Sequence, residues 1–225
     1  MEILTAWMPN VVEYANQFPK AIMDTLIMLF WSGLASIILG LILAMIVVVT
    51  RPGGIAPNKW VFWILDKIIN LFRAIPFIIL VPALAFLSRF VFHTTIGIAG
   101  AMVPLIVGTV PFMARQFESA IMEIPEGVVE ASISMGMTNW QIITHVYLRE
   151  NIPGMIRGIT ITLIALIGQI AIVGAVGAGG LGDMAIRYGN GRRMTDITYV
   201  VIILILVIIS IIQLIGDRLV AKFTR

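Results

Sequence analysis

Long uncharged stretches separated by short charged segments dominate the pattern of hydrophobic and polar positions along this chain. Four stretches contain no Asp, Glu, Lys or Arg: residues 26–49, 94–114, 158–182 and 197–216. About 20 predominantly apolar residues are enough for a helix to cross the hydrocarbon core of a bilayer. The pattern therefore predicts four membrane-spanning helices.

A fifth span is predicted from a less regular segment. Residues 74–88 are apolar but include Pro76 and Pro82, and residues 60–72 before them are apolar apart from three polar positions. Because proline removes a backbone donor, we expect this span to be kinked and to enter the membrane obliquely. The prediction is a single all-α transmembrane domain over residues 1–225 with five spans.

Composition supports a membrane protein and narrows its chemistry. Hydrophobic residues make up 60% of the chain and charged residues 12%, whereas soluble domains carry about 25% charged residues. The chain has no cysteine and two histidines, which excludes disulfide and thiolate chemistry and argues against a metal site. The net charge of +3 is small and scattered between the apolar runs, so we expect no nucleic-acid binding.

The positions of Lys and Arg predict the orientation, because cytoplasmic loops retain positive charge. With five spans and an outer N-terminus, ten basic residues are cytoplasmic: Arg51, Lys59, Lys67, Arg73, Arg115, Arg149, Arg157, Arg218, Lys222 and Arg225. The other five are outside: Lys20, Arg89, Arg187, Arg192 and Arg193. We therefore expect an outer N-terminal segment at residues 1–19, a cytoplasmic C-terminus and lipid around the spans.

The largest extramembrane piece is residues 116–156, hereafter loop 116–156, and on this orientation it is cytoplasmic. Pro125 and Glu126 suit the first turn of a helix, where a missing amide is harmless and a carboxylate meets the positive end of the dipole. Gly136 suits the C-terminal cap, where a positive φ is often needed. One short helix is therefore predicted over about residues 125–135.

A second short helix is predicted directly after the first. Thr138 and Gln141 have the spacing of a capping box, so the helix starts near Asn139 and must end before Pro153. Two interpretations of this helix pair are open. It is either a packing piece that connects the third and fourth spans, or a rigid knob that fits a groove on a soluble partner.

The same loop contains a spaced motif. It comprises Glu130, Ala131 and Ser132, then Gly136 after three residues, then Val146 and Leu148 after nine more. This motif resembles the EAA signature of bacterial ABC importer membrane subunits, which reads Glu-Ala-Ala, three residues, Gly, nine residues, then Ile-x-Leu-Pro. The sequence departs from the signature at Arg149, where the family usually has proline.

Further segments are similar to the methionine-importer permease branch of that family. They are residues 71–80, 124–127, 135–138, 175–182 and 216–218. The resemblance implies a type I importer permease fold with five spans, a homodimer, two ATPase subunits and an extracytoplasmic binding protein in a bacterial inner membrane. It implies methionine as substrate, as the D form, the L form or both, with another polar amino acid or an osmolyte as the alternative.

The resemblance also implies which residues contact the ATPase. They are Glu130, Ala131, Ser132, Gly136, Met137 and Thr138. The chain has no Gly-Lys pair, which a Walker A loop requires. ATP and Mg²⁺ are therefore expected on the partner ATPase, and this chain is expected to be neither an enzyme nor a cofactor carrier.

Residues 177–182 match Gly-x-Gly-x-x-Gly, but they close an apolar span instead of following a strand, which argues against a dinucleotide site. Two interpretations are open: close helix packing, with small residues at 171, 175 and 179, or an unwound segment that forms a gate. Gln169 is likewise either an interhelical hydrogen-bond partner or a pathway residue. The candidate pathway or gate residues are Gln169, Gly177, Gly179 and Gly180.

Two other function classes are disfavoured by the sequence. An intramembrane serine protease needs Ser and His together, whereas His93 and His145 lie at the span boundary and in loop 116–156, away from Ser32 and Ser36. A self-contained channel is disfavoured because the spans offer no ring of charged residues for selectivity.

Overall fold

The computed structural model describes residues 7–224, and within that range all regular structure is helical. The helices are α1 (Pro9–Glu13), α2 (Phe18–Thr50), α3 (Lys59–Ala74), α4 (Phe77–Ala83), α5 (Ala85–Phe92), α6 (Gly97–Met122), α7 (Glu126–Ser134), α8 (Asn139–Gln141), α9 (Ile152–Val173), α10 (Gly180–Asp183) and α11 (Thr195–Phe223). Three π-helical segments extend them: Ile142–Tyr147 after α8, Gly174–Ala178 after α9 and Met184–Asn190 after α10. The predicted all-α fold is confirmed.

Among the described residues 7–224, four segments are long and apolar enough to cross a membrane. They are Ala15–Thr50, Gly97–Met122, Ile152–Ala178 and Thr195–Phe223. Each contains all or most of one of the four uncharged stretches from which a span was predicted. The four regular spans of the prediction are therefore present as helices.

The predicted fifth span is divided into three helices, so the expected count of five is approximate. α3 ends at Ala74 because Ile75 adopts extended backbone (φ −75°, ψ 124°) before Pro76. α4 ends at Ala83, one residue after Pro82, and Leu84 (φ −95°, ψ 5°) separates it from α5. With 16, 7 and 8 residues, these helices are each shorter than the roughly 20 residues of a straight span.

The chain forms two compact units. Unit 1 comprises the described residues up to Leu34, Pro76–Gly108 and Leu163–Ile212. Unit 2 comprises the remaining described residues, 35–75, 109–162 and 213–224. The long helices α2, α6, α9 and α11 contribute residues to both units. That the chain is a single transmembrane domain stays a prediction.

Unit 1 has two hydrophobic clusters. One is centred on Met28, Leu105 and Leu166, which are inaccessible to solvent. The other contains Leu181 and Ile197, with Phe18, Met184 and Tyr188 around them. The first cluster packs α2 against α6 and α9. The second packs the start of α2 against α10 and the start of α11.

The N-terminal helix α1 is attached to the start of α11 by one carboxylate. Asp196 accepts hydrogen bonds from the Asn10 backbone N–H at 3.0 Å, from the Asn10 side-chain amide at 2.9 Å and from the Val11 N–H at 3.3 Å. The first part of the predicted N-terminal segment, residues 1–6, lies outside the described residues, as does Arg225. The predicted outer position of this segment stays a prediction.

Unit 2 has one hydrophobic cluster, and loop 116–156 contributes to it. Ile142, Val146 and Tyr147 are buried together with Val47 of α2 and Phe117 of α6. Burial of a side chain of this size contributes about 1.5–3 kcal/mol. The second helix of the loop is therefore fixed to the long helices of its unit by its buried face.

Candidate functional site

The first helix of loop 116–156 forms where it was predicted. α7 spans Glu126–Ser134, with Pro125 as its N-cap at φ −57° and ψ 133°. Pro125 thus precedes the first turn and does not belong to it, while Glu126 lies in that turn. A carboxylate at this end of a helix interacts favourably with the helix dipole.

α7 ends in a Schellman motif, which accounts for the glycine at position 136. Gly136 has φ +79°, its N–H donates to the Ile133 carbonyl at 2.9 Å, and the Met137 N–H donates to the Ser132 carbonyl at 3.1 Å. These are the two bonds that define the motif. No neighbouring atom of the described part of the chain lies within 4 Å of the position that a Cβ on Gly136 would take, so backbone conformation alone selects glycine here.

The second helix begins with a complete capping box. Thr138 Oγ1 accepts from the Gln141 N–H at 3.3 Å, and Gln141 Oε1 accepts from the Thr138 N–H at 2.8 Å. α8 then continues as the π-helical segment Ile142–Tyr147. The predicted start near Asn139 and the end before Pro153 are both confirmed.

Loop 116–156 exposes two large apolar side chains near the junction of its two helices. Met135 is 74% exposed and Trp140 is 72% exposed. We call these two residues the outward patch. Large exposed apolar side chains on a rigid element are typical of a surface that contacts another protein. Of the two interpretations, this arrangement favours a knob for a partner.

The inner side of α7 faces a cavity of about 290 Å³ within unit 2. Glu126 and Glu130 line it together with Arg51 and Tyr147. Burial raises the pKa of the Tyr147 hydroxyl, and the charge of Arg51 opposes that rise. Tyr147 therefore stays neutral at physiological pH.

The loop returns to the membrane helices at Asn151, a residue that the sequence analysis did not single out. Its side-chain amide donates to the Ala120 carbonyl and, at 2.9 Å, to the Glu123 carboxylate, while its Oδ1 accepts from the Gly154 N–H at 3.0 Å. The spacing from Asn151 to Gly154, with a proline inside the first turn, is the N-cap signal that would have found it.

Arg149 lies in the turn just before Asn151, at the position where the EAA signature has proline. Its side chain is exposed, and its N–H donates to the Val146 carbonyl at 3.2 Å. Proline has no N–H and could not make this bond. The departure from the signature therefore adds one backbone hydrogen bond to the turn.

A charged network on the membrane helices of unit 2 was also missed. Arg115 of α6 forms ion pairs with Asp66 of α3 and, at 2.6 Å, with Glu118, and it donates to the Asn70 amide oxygen at 3.2 Å. The side chains of the three ionised residues are 17–23% exposed. The signal is the four-residue spacing of Asp66 and Asn70, which places both on one helix face.

The candidate pathway glycines lie in unit 1, where the chain reverses direction after α9. Gly177, Gly179 and Gly180 have φ of +100°, +88° and +81°. A Cβ on Gly182 would lie 2.3 Å from the Ala171 carbonyl oxygen. Gly177, Gly179 and Gly180 therefore allow the turn, and Gly182 allows the close approach of α9 and α10. A role of the three turn glycines as a gate stays a prediction.

The predicted site residues belong to different units. Glu130, Ala131, Ser132, Gly136, Met137 and Thr138 lie in unit 2, whereas Gln169 and the three glycines lie in unit 1. Ala131 is exposed and Ser132 is buried, with its hydroxyl bound to the Val128 carbonyl at 2.8 Å. Gln169 is half-buried in α9. Among residues 7–224, no group of three or more His, Cys, Asp or Glu side chains is arranged to hold a metal ion.

Comparison with known proteins identifies the family. Residues 36–225 match the family described as binding-protein-dependent transport system inner membrane component. The chain belongs to this family. The chain is 45% identical over 201 residues to a protein of Pasteurella multocida named probable D-methionine transport system permease protein MetI, which covers 89% of this chain and 93% of that protein. The Escherichia coli K12 protein named D-methionine transport system permease protein MetI is 43% identical over 66% of this chain and 68% of its own length.

Solved structures show the same fold. A chain from the inward-facing MetNI methionine ABC transporter superposes with a TM-score of 0.90 at 42% identity, covering 92% of this chain and 96% of that one. A chain from an amino acid ABC transporter solved with histidines superposes with a TM-score of 0.78 at 18% identity. The chain is therefore a permease subunit with the ABC importer fold, and the second likeness concerns the fold alone.

Proposed function

We propose that this chain is the membrane subunit of an ATP-driven importer that moves methionine into a bacterial cell. The observation that carries the proposal is the 45% identity to a protein named as a probable D-methionine permease, over 93% of that protein's length. The likeness to the MetNI methionine transporter supports the same substrate. Whether the D form, the L form or both are carried is part of what the transport experiment below measures.

ATP hydrolysis in this proposal takes place on two partner ATPase subunits, which hold ATP and Mg²⁺, and this chain acts as a homodimer. The outward patch of loop 116–156 supports a protein partner at that surface, because Met135 and Trp140 are exposed there. Glu130, Ala131, Ser132, Gly136, Met137 and Thr138 would form the contact. A Schellman motif and a capping box join the two short helices of the loop directly. Such a rigid pair transmits movement of a partner better than a flexible loop does.

The proposed orientation places loop 116–156 in the cytoplasm and the N-terminus outside. Its support is the bias of Lys and Arg toward one side of the spans. An extracytoplasmic binding protein would then deliver substrate at the outer side. Gln169, Gly177, Gly179 and Gly180 are proposed to line the path or its gate, because the backbone is unwound at the three glycines.

Transport reconstituted in vesicles tests the substrate. The chain is inserted with its ATPase and binding protein, and ATP-dependent uptake of D-methionine, L-methionine, histidine and glycine betaine is compared. We expect either methionine form to be taken up faster than histidine or betaine. A preference for histidine or betaine would contradict the methionine assignment and support the alternative of another amino acid or osmolyte. Uptake without ATPase or ATP would indicate a channel and contradict the importer assignment.

A further inference from the structure

A second cavity lies in unit 1, and two of the candidate pathway residues, Gly179 and Gly180, line it. Its volume is about 340 Å³, within the range of about 300–1,000 Å³ that small-molecule sites occupy. One wall is the first part of α2 with the residues before it, and the other wall is α10 with its π-helical extension. The lining residues are Asn16, Gln17, Lys20, Ala21, Asp24, Gly179, Gly180, Asp183, Met184 and Arg187.

The walls are held in position by backbone and side-chain contacts beneath the cavity. The Leu181 N–H donates to Thr25 Oγ1 at 2.9 Å, which ties the start of α10 to α2. A Cβ on Gly180 would lie 2.7 Å from the same hydroxyl oxygen, and a Cβ on Gly179 would lie 3.3 Å from Asp24 Oδ2. The two glycines therefore keep the turn close to Asp24 without filling the space above its carboxylate.

Four charged side chains line the cavity, and they fall into two pairs that differ in their partners. Arg187 forms an ion pair with Asp183 one turn away. Lys20 and Asp24 are also one turn apart on α2, but neither takes part in an ion pair among residues 7–224. The Lys20 ammonium and the Asp24 carboxylate therefore face the cavity one turn apart on the same helix. Each is available to bind a ligand group of the opposite charge.

We propose that this cavity binds a free zwitterionic α-amino acid, with the ligand carboxylate at Lys20 and the ligand ammonium at Asp24. The inference rests on the proposed transport of an amino acid and adds a binding site for it on this chain. A zwitterion carries its two charges one carbon apart, so both ends are satisfied only by a site with both signs of charge. Met184 and Ala21, which are buried, offer an apolar surface for the ligand side chain.

Binding to the full chain in lipid nanodiscs tests the site, with L-methionine, N-acetylmethionine and methionine methyl ester as probes. The acetylated compound lacks the ammonium, and the ester lacks the carboxylate. We expect saturable binding of L-methionine, and binding about tenfold weaker for each blocked compound, as for the loss of one hydrogen bond to a charged group.

The variants D24N and K20Q assign the two ends of the ligand. D24N should weaken the binding of L-methionine about tenfold and leave the binding of N-acetylmethionine unchanged. K20Q should weaken the binding of L-methionine about tenfold and leave the binding of the methyl ester unchanged. E13Q is the matched control, because Glu13 is an exposed carboxylate of unit 1 that does not line the cavity. The exchanged double variant Lys20→Asp with Asp24→Lys should recover part of the binding.

Wild-type affinity for L-methionine in both D24N and K20Q would overturn the proposal, as would the absence of saturable binding of any zwitterion. The methionine assignment is separable from the site by using histidine and glycine betaine as further probes. If they bind with the same dependence on Asp24 and methionine does not, the site stands and the methionine assignment fails. If vesicles import methionine while the cavity variants bind it normally, the transport function stands and the site fails.

Discussion

At the scale of single residues, the backbone conformation explains why position 136 is a glycine. Its φ of +79° is required by the Schellman motif, and the surrounding space is open. A residue with a Cβ in this conformation costs roughly 1–2 kcal/mol, and a β-branched residue costs more. Because Gly136 lies in loop 116–156, that cost falls on the geometry of the loop and not on the membrane helices.

We expect Gly136→Val to leave the protein inserted in the membrane but to weaken its hold on the ATPase. Co-purification of the ATPase with an affinity-tagged permease measures this. Gly136→Asn is the control, because asparagine tolerates the left-handed conformation and should retain most of the ATPase. Normal assembly and normal transport in Gly136→Val would show that the cap does not govern docking.

Residue-level prediction from the sequence succeeded where chemistry is local. Gly136, Thr138 and Gln141 were identified from spacing alone, because a cap and a capping box involve only neighbouring residues. The bonds from Arg115 to Asp66 and Asn70, and from Asn151 to Ala120 and Glu123, escaped detection because these partners lie 28–49 positions away along the chain. Spacing on one helix does not reveal which other helix packs against it.

At the scale of elements, the apolar pattern predicted the four long helices but not the interruptions of the remaining segments. Residues 74–88 have the hydropathy of a span, yet Pro76 and Pro82 divide them where a kink was expected. The sequence predicted an unwound segment at the glycines after α9 but not the reversal of the chain there. Apolar periodicity carries no information on chain direction. The close approach of α9 and α10 follows from Gly182, where a Cβ would lie 2.3 Å from the Ala171 carbonyl.

Because of this close approach, we expect Gly182 of α10 and Gly168 of α9 to respond differently to substitution by alanine. Gly182→Ala should separate α9 from α10 and lower the stability of the purified protein by about 1–3 kcal/mol, as overpacking does. Gly168→Ala should be neutral or stabilising, because no atom lies within 4 Å of its Cβ position and alanine favours the helix. Thermal unfolding in detergent compares the two, and equal midpoints would argue against the packing.

At the scale of the whole molecule, the orientation is open to direct measurement because the chain has no native cysteine. Single cysteines at positions Asn58, Asn139 and Asn190, all exposed, should react with a membrane-impermeant thiol reagent from the inside, the inside and the outside, respectively. Cysteine at position 8, half-buried in the structure, is a less accessible control. Labelling of position 139 from outside would reverse the proposed orientation and remove the docking surface from the ATPase.

The bond between Asn10 and Asp196 has a consequence for the order of events during synthesis. The two residues are 186 positions apart, and ribosomes add about 5–20 residues per second, so α1 waits about 10–40 s for its partner to be made. Thr25 waits in the same way for Leu181, 156 positions later. Asn10 and Thr25 therefore acquire these partners only after Asp196 and Leu181, respectively, have been synthesised.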